Sequence, residues 1–368
     1  MNSIFTSESV CAGHPDKVCD QISDAVVDAA LAQDPKSRVA IETVAGFNHL
    51  FMLGEVTTSA KLDYEAIARE QIRRLGYTDP KLNFSDQSSI KTVIHTQSSE
   101  IAAGVDLEGA GDQGMMFGFA CKETKDFMPL PIQLAQELAQ AVDQARENKT
   151  IPYLRPDGKS QVTVEYSKGQ PVGIQDVVLA VPHSEDVELT KVKNDLYNQV
   201  VIPILNKHGF SVDMKNLIVN GTGVWNYGGP AMDAGLTGRK IIVDTYGGYA
   251  RVGGGAFSGK DPTKVDRSGA YAARYIAKNI VAHGLAEKAE VRLAYFIGAQ
   301  KPLMQEVETF GTNKVSKKII NDFMFKLLDT SVKGIIETLN LRRPIYLKTA
   351  AYGHFGRNEF PWERTAEI

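Results

Sequence analysis

Several things are scarce in this sequence, and each shortage excludes a class of protein. Only three cysteines, Cys11, Cys19 and Cys121, occur in 368 residues. An odd, scattered set builds neither a disulfide framework nor a zinc-ligand cluster, and reads as buried thiols in a reducing compartment. The longest apolar runs, such as residues 200–205, are far too short to span a bilayer. The opening Met-Asn-Ser-Ile-Phe-Thr-Ser-Glu lacks the apolar core of a secretory leader, so a cytoplasmic location is expected. A charge excess of one sign is also missing. The 41 Lys and Arg face 44 Asp and Glu, a net −3, which argues against a general nucleic-acid binder. No G-x-G-x-x-G opens a helix after a strand in the first half, so a dinucleotide-binding fold is not expected.

Glycine is what the chain has in excess: 32 residues, many of them between positions 221 and 269. The rest is ordinary for a globular protein, with room for two or three domains at roughly 100–200 residues each. Val18, Ile22, Ala25, Val26 and Ala29 recur at helical spacing and predict a helix over residues 14–32. Strands are expected over 38–47 and 50–58, a helix over 64–75 stopped by Gly76, and a strand over 90–96. The order helix, hairpin, helix, strand then returns. Its second round is a helix over 131–146, strands over 161–166 and 174–181, a long helix over 187–207 interrupted at Pro203, and a short strand over 217–219. A third round holds a helix over 266–283, strands over 291–297 and 304–309, a helix over 315–339 and a last strand over 345–347. The expected fold class is therefore α+β, with three similar units, each a small mixed sheet covered by helices on one face.

Three segments carry candidate chemistry. The run Gly253-Gly254-Gly255-Ala256-Phe257-Ser258-Gly259-Lys260 follows an expected strand over 241–245 and precedes a helix. Its spacing from Gly254 to Lys260 is that of a phosphate loop, but Asp261 stands where that loop has its Ser or Thr. Glycine backbone and a helix N-terminus still suit an anion. Lys260, Lys264, Arg267, Arg239 and Lys240 supply enough cations for a ligand with several phosphates, and Asp261 or Asp266 could hold a divalent ion. Gly13-His14-Pro15-Asp16-Lys17 is the second segment. Asp16 in its turn favours a metal ligand, whereas a lone His14 is more often structural. Asp24 and Asp28, later in the same every-fourth-residue series as Asp16 and Asp20, read as a solvated face. The third segment is Gly109-Ala110-Gly111-Asp112-Gln113-Gly114, a carboxylate among small residues before an expected strand over 115–120.

Together these segments resemble S-adenosylmethionine synthetases. So do Leu154-Arg155-Pro156-Asp157-Gly158-Lys159, residues 235–248, and Thr349-Ala350-Ala351-Tyr352-Gly353-His354-Phe355-Gly356. The resemblance runs from Phe5 to about Trp362. It implies three domains about a pseudo-threefold axis, expected at 1–98, 112–228 and 229–368 with strands or helices exchanged between them, and an active-site lid over 99–111. It implies ATP and L-methionine as substrates, Mg2+ and K+ as cofactors, and a homodimer or homotetramer with active sites at the subunit interface. No nucleic acid and no membrane partner is expected.

By the same resemblance, His14, Lys159, Arg239, Lys240 and Lys260 are the expected catalytic residues. All five are expected at ATP, with Ala256 at the triphosphate and Asp112, Asp157, Trp225 and Asp233 beside the nucleoside. Glu55, Gln97, Asp233 and Lys264 are expected at methionine, Asp16 and Asp266 at magnesium, and Glu42 at potassium. Three departures stand out. Asn220-Gly221-Thr222-Gly223-Val224-Trp225 replaces the family's Asn-Pro-Thr/Ser-Gly-Arg-Phe, losing an arginine and placing Trp225 as the aromatic that stacks on adenine. The loop between Gln97 and Gly109 is shorter than usual, which predicts faster product release. The hairpin at residues 46–49 lacks the family's Lys-Thr-Gly. Two other readings compete: a phosphoryl-transferring enzyme, and a silent nucleotide-binding subunit.

Overall fold

The computed structural model describes residues 2–96 and 109–367. Strand β1 (Asn2–Val10) leads into helix α1 (Pro15–Gln33), which buries Val18, Ile22, Val26 and Leu31 against the hairpin β2 (Arg38–Gly46) and β3 (His49–Thr57). Pro15 sits in the first turn of α1, where its missing N–H costs nothing. Helix α2 (Tyr64–Arg74) is capped by Asp63, whose side chain accepts the Ala66 N–H, and strand β4 (Ser89–His95) follows. Beyond β5 (Gly114–Cys121) comes helix α3 (Leu130–Glu147), then the hairpin β6 (Lys159–Ser167) and β7 (Gln170–Ala180).

The expected helix over 187–207 is present as α4 (Leu189–Leu196) and α5 (Ile202–Lys207), joined by a wider π turn at Tyr197–Val201. Pro203 has no N–H to give and crowds the preceding turn, so the ladder widens just before it and continues. Strands β8 (Leu217–Val219) and β9 (Gly235–Leu236) are short. Helix α6 (Ile241–Asp244) occupies the segment expected as a strand. Burial of Asp244 against Lys17 decides this, because the chain must coil for the carboxylate to reach its partner. Helix α7 (Val265–Ala282), strands β10 (Lys288–Tyr295) and β11 (Met304–Glu308), and helices α8 (Lys317–Leu327) and α9 (Val332–Thr338) complete the chain. The single helix expected over 315–339 is divided because Ser331 starts a fresh one, its hydroxyl accepting the Gly334 N–H at 3.0 Å. The strand expected over 345–347 is not formed. The Tyr346 and Leu347 N–H groups go to Asp28 instead, and a 3-10 turn follows at Leu347–Ala350.

Three sheets result, with strand orders β1-β6-β7-β8, β11-β10-β5 and β4-β3-β2-β9, each covered by helices on one face. This is the expected three-part α+β organisation, and strands cross between its parts. β1 pairs antiparallel with β6, Phe5 opposite Val164, and β5 pairs with β10, Ala120 opposite Ala289. The core lies between sheets and helices, around Leu134, Leu138, Val162 and Val177 in one cluster and Ile22, Val26, Ile276 and Val291 in the other.

Asp143 on α3 ties the start of α1 into this core, its Oδ2 accepting the Ala12 N–H at 2.7 Å and the Tyr352 hydroxyl at 2.8 Å. Burial pushes this carboxyl up to about 6, against the pull of Arg146 and the two donors. The folded protein thus holds the proton between the ordinary value of 3.8 and about 6, where the unfolded chain has released it. The group's stabilising contribution is complete below that ordinary value and is lost as pH rises through the folded one. Asp143→Asn is expected to remove about one proton from the slope, ~1.4 kcal/mol per pH unit across that window. Denaturant titrations over the window measure it, and identical slopes in both proteins would refute it.

Candidate active site

Two clusters carry the candidate residues. The first sits at the N-terminus of α1, where the helix dipole favours negative charge. Asp16 is buried there, with Oδ1 accepting the Leu236 N–H at 3.0 Å and Oδ2 receiving the Lys240 ammonium. Arg239 Nε stands 3.7 Å from Oδ1. Burial raises this carboxyl, but the Lys240 and Leu236 hydrogen bonds outweigh it and leave it below the usual range. His14 caps the helix, its Nδ1 accepting the Asp16 N–H at 3.2 Å. Burial, and then the Lys240 charge, lower its pKa to about 3, so at neutral pH the ring is uncharged with its proton on Nε2. Lys159, at the exposed first position of β6, adds a further positive field at His14. Asp157, two residues earlier, is buried and accepts the Gly158 and Gly229 N–H groups, each at 2.7 Å. Burial raises its carboxyl to about 6 despite those bonds.

The second cluster sits at the N-terminus of α7. Lys260 Nζ lies 2.7 Å from Asp266 Oδ2, with side chains 21% and 13% exposed. A Cβ on Gly255 would come within 2.2 Å of the Asp266 carboxyl carbon, so only glycine lets the backbone lie against that carboxylate. Gly114, at the end of the third motif, borders Asp266 as well. Lys260 pairs with Ala40 of β2, which puts it on the same sheet face as Glu42 and, across the hairpin, Glu55. Burial raises the Glu42 carboxyl and Lys260 pulls it back.

The clusters meet at one contact. Gly238, with φ +79°, turns the chain into Arg239 and Lys240, and a Cβ there would stand 2.5 Å from the Ala256 Cβ. The Arg239–Lys240 turn and the glycine stretch that leads to Lys260 therefore lie against each other. The arrangement is a rim of lysines and an arginine, two carboxylates at helix N-termini and close-packed glycine backbone. Chemically it suits a polyanion carrying a divalent cation.

Family models agree with this reading along the chain: the S-adenosylmethionine synthetase N-terminal domain matches residues 2–99, the central domain 107–225 and the C-terminal domain 227–364. The chain belongs to the S-adenosylmethionine synthetase family. Membership supports synthesis of S-adenosylmethionine from ATP and methionine, a methionine adenosyltransferase activity, with those two molecules as substrates. No helix among the described residues is long and apolar enough to cross a membrane.

Not every expected residue joins the two clusters. Gln97 and most of the expected lid fall outside the described residues. Glu55 pairs with His95 at 3.5 Å on the open face of its sheet. Asp112 is exposed and accepts its neighbour Gln113's N–H at 2.7 Å, and Asp233 is exposed in the turn after Gly229. Trp225 is half-buried; its indole N–H donates to the Tyr227 carbonyl, and His183 Nδ1 holds its own carbonyl at 2.9 Å. Lys264 pairs with Asp261 and keeps part of its side chain exposed.

Three expectations need correction. Arg267 is fully buried and forks onto Asp24 at 2.6 and 2.7 Å, so it is a strut and not a phosphate contact. Asp261 is fully buried, saturated by the Val39 and Thr263 N–H groups, the Thr263 hydroxyl and Lys264, and has no lone pair free for an ion. Asp24 is fully buried and Asp28 half-buried, so the face expected to be solvated is an interior one. Lys17, Asp20 and Asp244 were missed altogether as a buried network; the only sequence trace was the four-residue spacing of aspartates along α1.

Proposed function

We propose that the chain joins methionine to ATP by attack of the thioether sulfur on the ribose C5′ carbon. The S–C bond forms as the C5′–O bond breaks, and the electron pair leaves on the triphosphate. A thioether carries no proton, so no general base is needed. The barrier lies in the leaving group, and catalysis rests on positioning and on charge. The observation that carries this reading is the meeting of the His14–Asp16–Arg239–Lys240 and Lys260–Asp266 clusters at the Gly238–Ala256 contact. Neutral His14 offers Nε2–H to the oxygen bridging ribose and phosphate. Lys159, Arg239, Lys240 and Lys260 surround the triphosphate beside the Ala256 backbone, and water attack at the same site then gives phosphate and diphosphate. Asp112, Asp157, Asp233 and Trp225 serve the nucleoside; Glu55, Gln97, Asp233 and Lys264 serve methionine.

Among the described residues, no three His, Cys, Asp or Glu side chains gather to hold a metal by themselves. Magnesium characteristically takes one or two carboxylates and completes its shell with phosphate and water. Asp16 and Asp266, single carboxylates beside lysines at helix N-termini, fit that pattern, and Mg2+ there would neutralise phosphate charge. Glu42 offers an oxygen to K+. A second copy of the chain fits the open face of sheet β4-β3-β2-β9. Phe51, Leu53, Val93 and Leu236 share that face, 41%, 44%, 57% and 36% exposed, with Glu42 and Glu55 among them. A contiguous apolar patch of this kind marks an interaction surface, and a second protein is the occupant proposed here. Covering it would enclose both carboxylates in a site shared between subunits.

Incubation with ATP, methionine, Mg2+ and K+ followed by mass detection of a sulfonium product tests the reaction. ADP or AMP released without methionine dependence would point to phosphoryl transfer instead. Trp225→Ala is expected to raise the ATP KM about tenfold with a smaller change in kcat, since aromatic stacking on a base is worth ~1–3 kcal/mol. An unchanged ATP KM in steady-state kinetics would remove Trp225 from the adenine site.

A further inference from the structure

Four aspartates recur every fourth residue along α1, and each accepts backbone N–H groups from segments far along the chain: the stretch from β9 to Gly238, the Gly259 loop and the Tyr346–Leu347 turn. Asp16 takes Leu236 at 3.0 Å, Asp20 takes Gly238 at 2.8 Å, Asp24 takes Gly259 at 2.9 Å, and Asp28 takes Tyr346 and Leu347 at 2.9 Å each. The middle two are fully buried. Each has its own buried cation: Lys17 lies 2.8 Å from Asp20 and also reaches Asp244, and Arg267 forks onto Asp24. Buried charge of this kind is a poor way to gain stability, since apolar residues of similar volume do as well or better. A role other than stability is therefore the one to look for.

The gripped N–H groups suggest one. Gly238 immediately precedes Arg239 and Lys240, and Gly259 immediately precedes Lys260. Both glycines have positive φ, +79° and +80°. Asp20 and Asp24 are one helical turn apart, about 6 Å along the axis. A single rigid helix therefore carries the anchors of both cation-bearing loops.

We propose that Asp20 and Asp24 are positioning residues for the transfer reaction: as adjacent rungs on α1 they grip the Gly238 and Gly259 N–H groups and so set the separation between Arg239–Lys240 and Lys260. The inference rests on the polyphosphate reading of the site. The leaving group's charge is spread along three phosphates, so both sets of cations must be in register at once. A shift of about 1 Å in one set costs turnover on the order of a hundredfold while barely touching methionine. Asp24 is too deeply coupled to Arg267 to be replaced alone without leaving an unpaired buried charge, so Asp20 is the rung to test.

The test measures kcat, the methionine KM and the dissociation constant of inorganic tripolyphosphate in the whole chain, with the unaltered protein alongside. Asp20→Ala is expected to lower kcat about 30-fold or more and weaken tripolyphosphate about tenfold, with the methionine KM within about threefold. Asp20→Asn keeps a carbonyl for the Gly238 N–H and is expected to recover most of both losses. Asp28→Asn, two turns along and bonded to the Tyr346–Leu347 turn rather than to the Arg239–Lys240 or Lys260 loop, is expected to lower the melting temperature and leave kcat and tripolyphosphate binding in place. Where Asp20→Ala does not accumulate as folded protein, Asp20→Glu replaces it. That variant keeps the buried charge opposite Lys17, lengthens the rung by one methylene, and carries the same expected losses. A folded Ala or Glu variant within about threefold of the unaltered protein on both measures overturns the proposal. So does an Asp28→Asn loss as large as that of Asp20→Ala. Failure of the unaltered protein to make a sulfonium product sinks the reaction instead, and the tripolyphosphate constants still judge the ladder.

Discussion

Replacing Lys260 with alanine is expected to lower turnover by about 10²–10³-fold, the usual cost of removing one preorganised charge from a developing anion. The fold should survive. The Lys260 side chain is 21% exposed and pairs with Asp266, whose side chain is 13% exposed. Asp266 lies in the first turn of α7, where the helix dipole supports a carboxylate after its lysine is gone. The backbone at Lys260 is held independently, by the Ile41 N–H on the Gly259 carbonyl at 2.9 Å and the Asp261 N–H on the Val39 carbonyl at 3.1 Å. Circular dichroism and melting temperature should therefore match the unaltered protein while kcat collapses. A folded variant with nearly full kcat would show that Lys260 does not face the leaving group.

Asp16→Asn is expected to act differently. The amide keeps an oxygen for the Leu236 N–H, so the β9 anchor remains. It loses the negative charge that holds Lys240 and that would help hold magnesium. The expected result is a rise in the Mg2+ concentration for half-maximal rate, on the order of tenfold, with kcat at saturating Mg2+ lowered on the order of a hundredfold. A magnesium titration of the rate reads both. An unchanged half-saturation point would place the metal elsewhere and leave Asp16 as an anchor for Lys240 alone.

These two residues illustrate what local sequence could reveal. Asp16 and Lys260 sit in compact motifs, Gly13-His14-Pro15-Asp16-Lys17 and Gly253 to Lys260, where spacing alone signals chemistry. The helix periodicity of α1 and the Gly76 stop after α2 were equally legible, because the signals lie within a few residues of one another. The segment around Ile241 was not. Its β-branched run favours a strand, yet Asp244 must meet Lys17 more than two hundred positions away, and burial of that pair overrides local preference. The same holds for β1, which reads as nothing in particular until it lies beside β6.

Most of the order of elements, the three-part α+β organisation, the glycine stretch with phosphate-loop spacing and the family resemblance were determined by the chain's own sequence, since each depends on short-range pattern or on motifs complete in themselves. Which aspartates of α1 face water and which face inward was decided only in three dimensions. A carboxylate's role depends on the groups that come to meet it, and those at Asp20 and Asp24 arrive from Gly238, Gly259 and Arg267, far along the chain. Nothing within a helical turn of either residue announces such partners, because hydrogen bonding and desolvation act through space and not along the backbone.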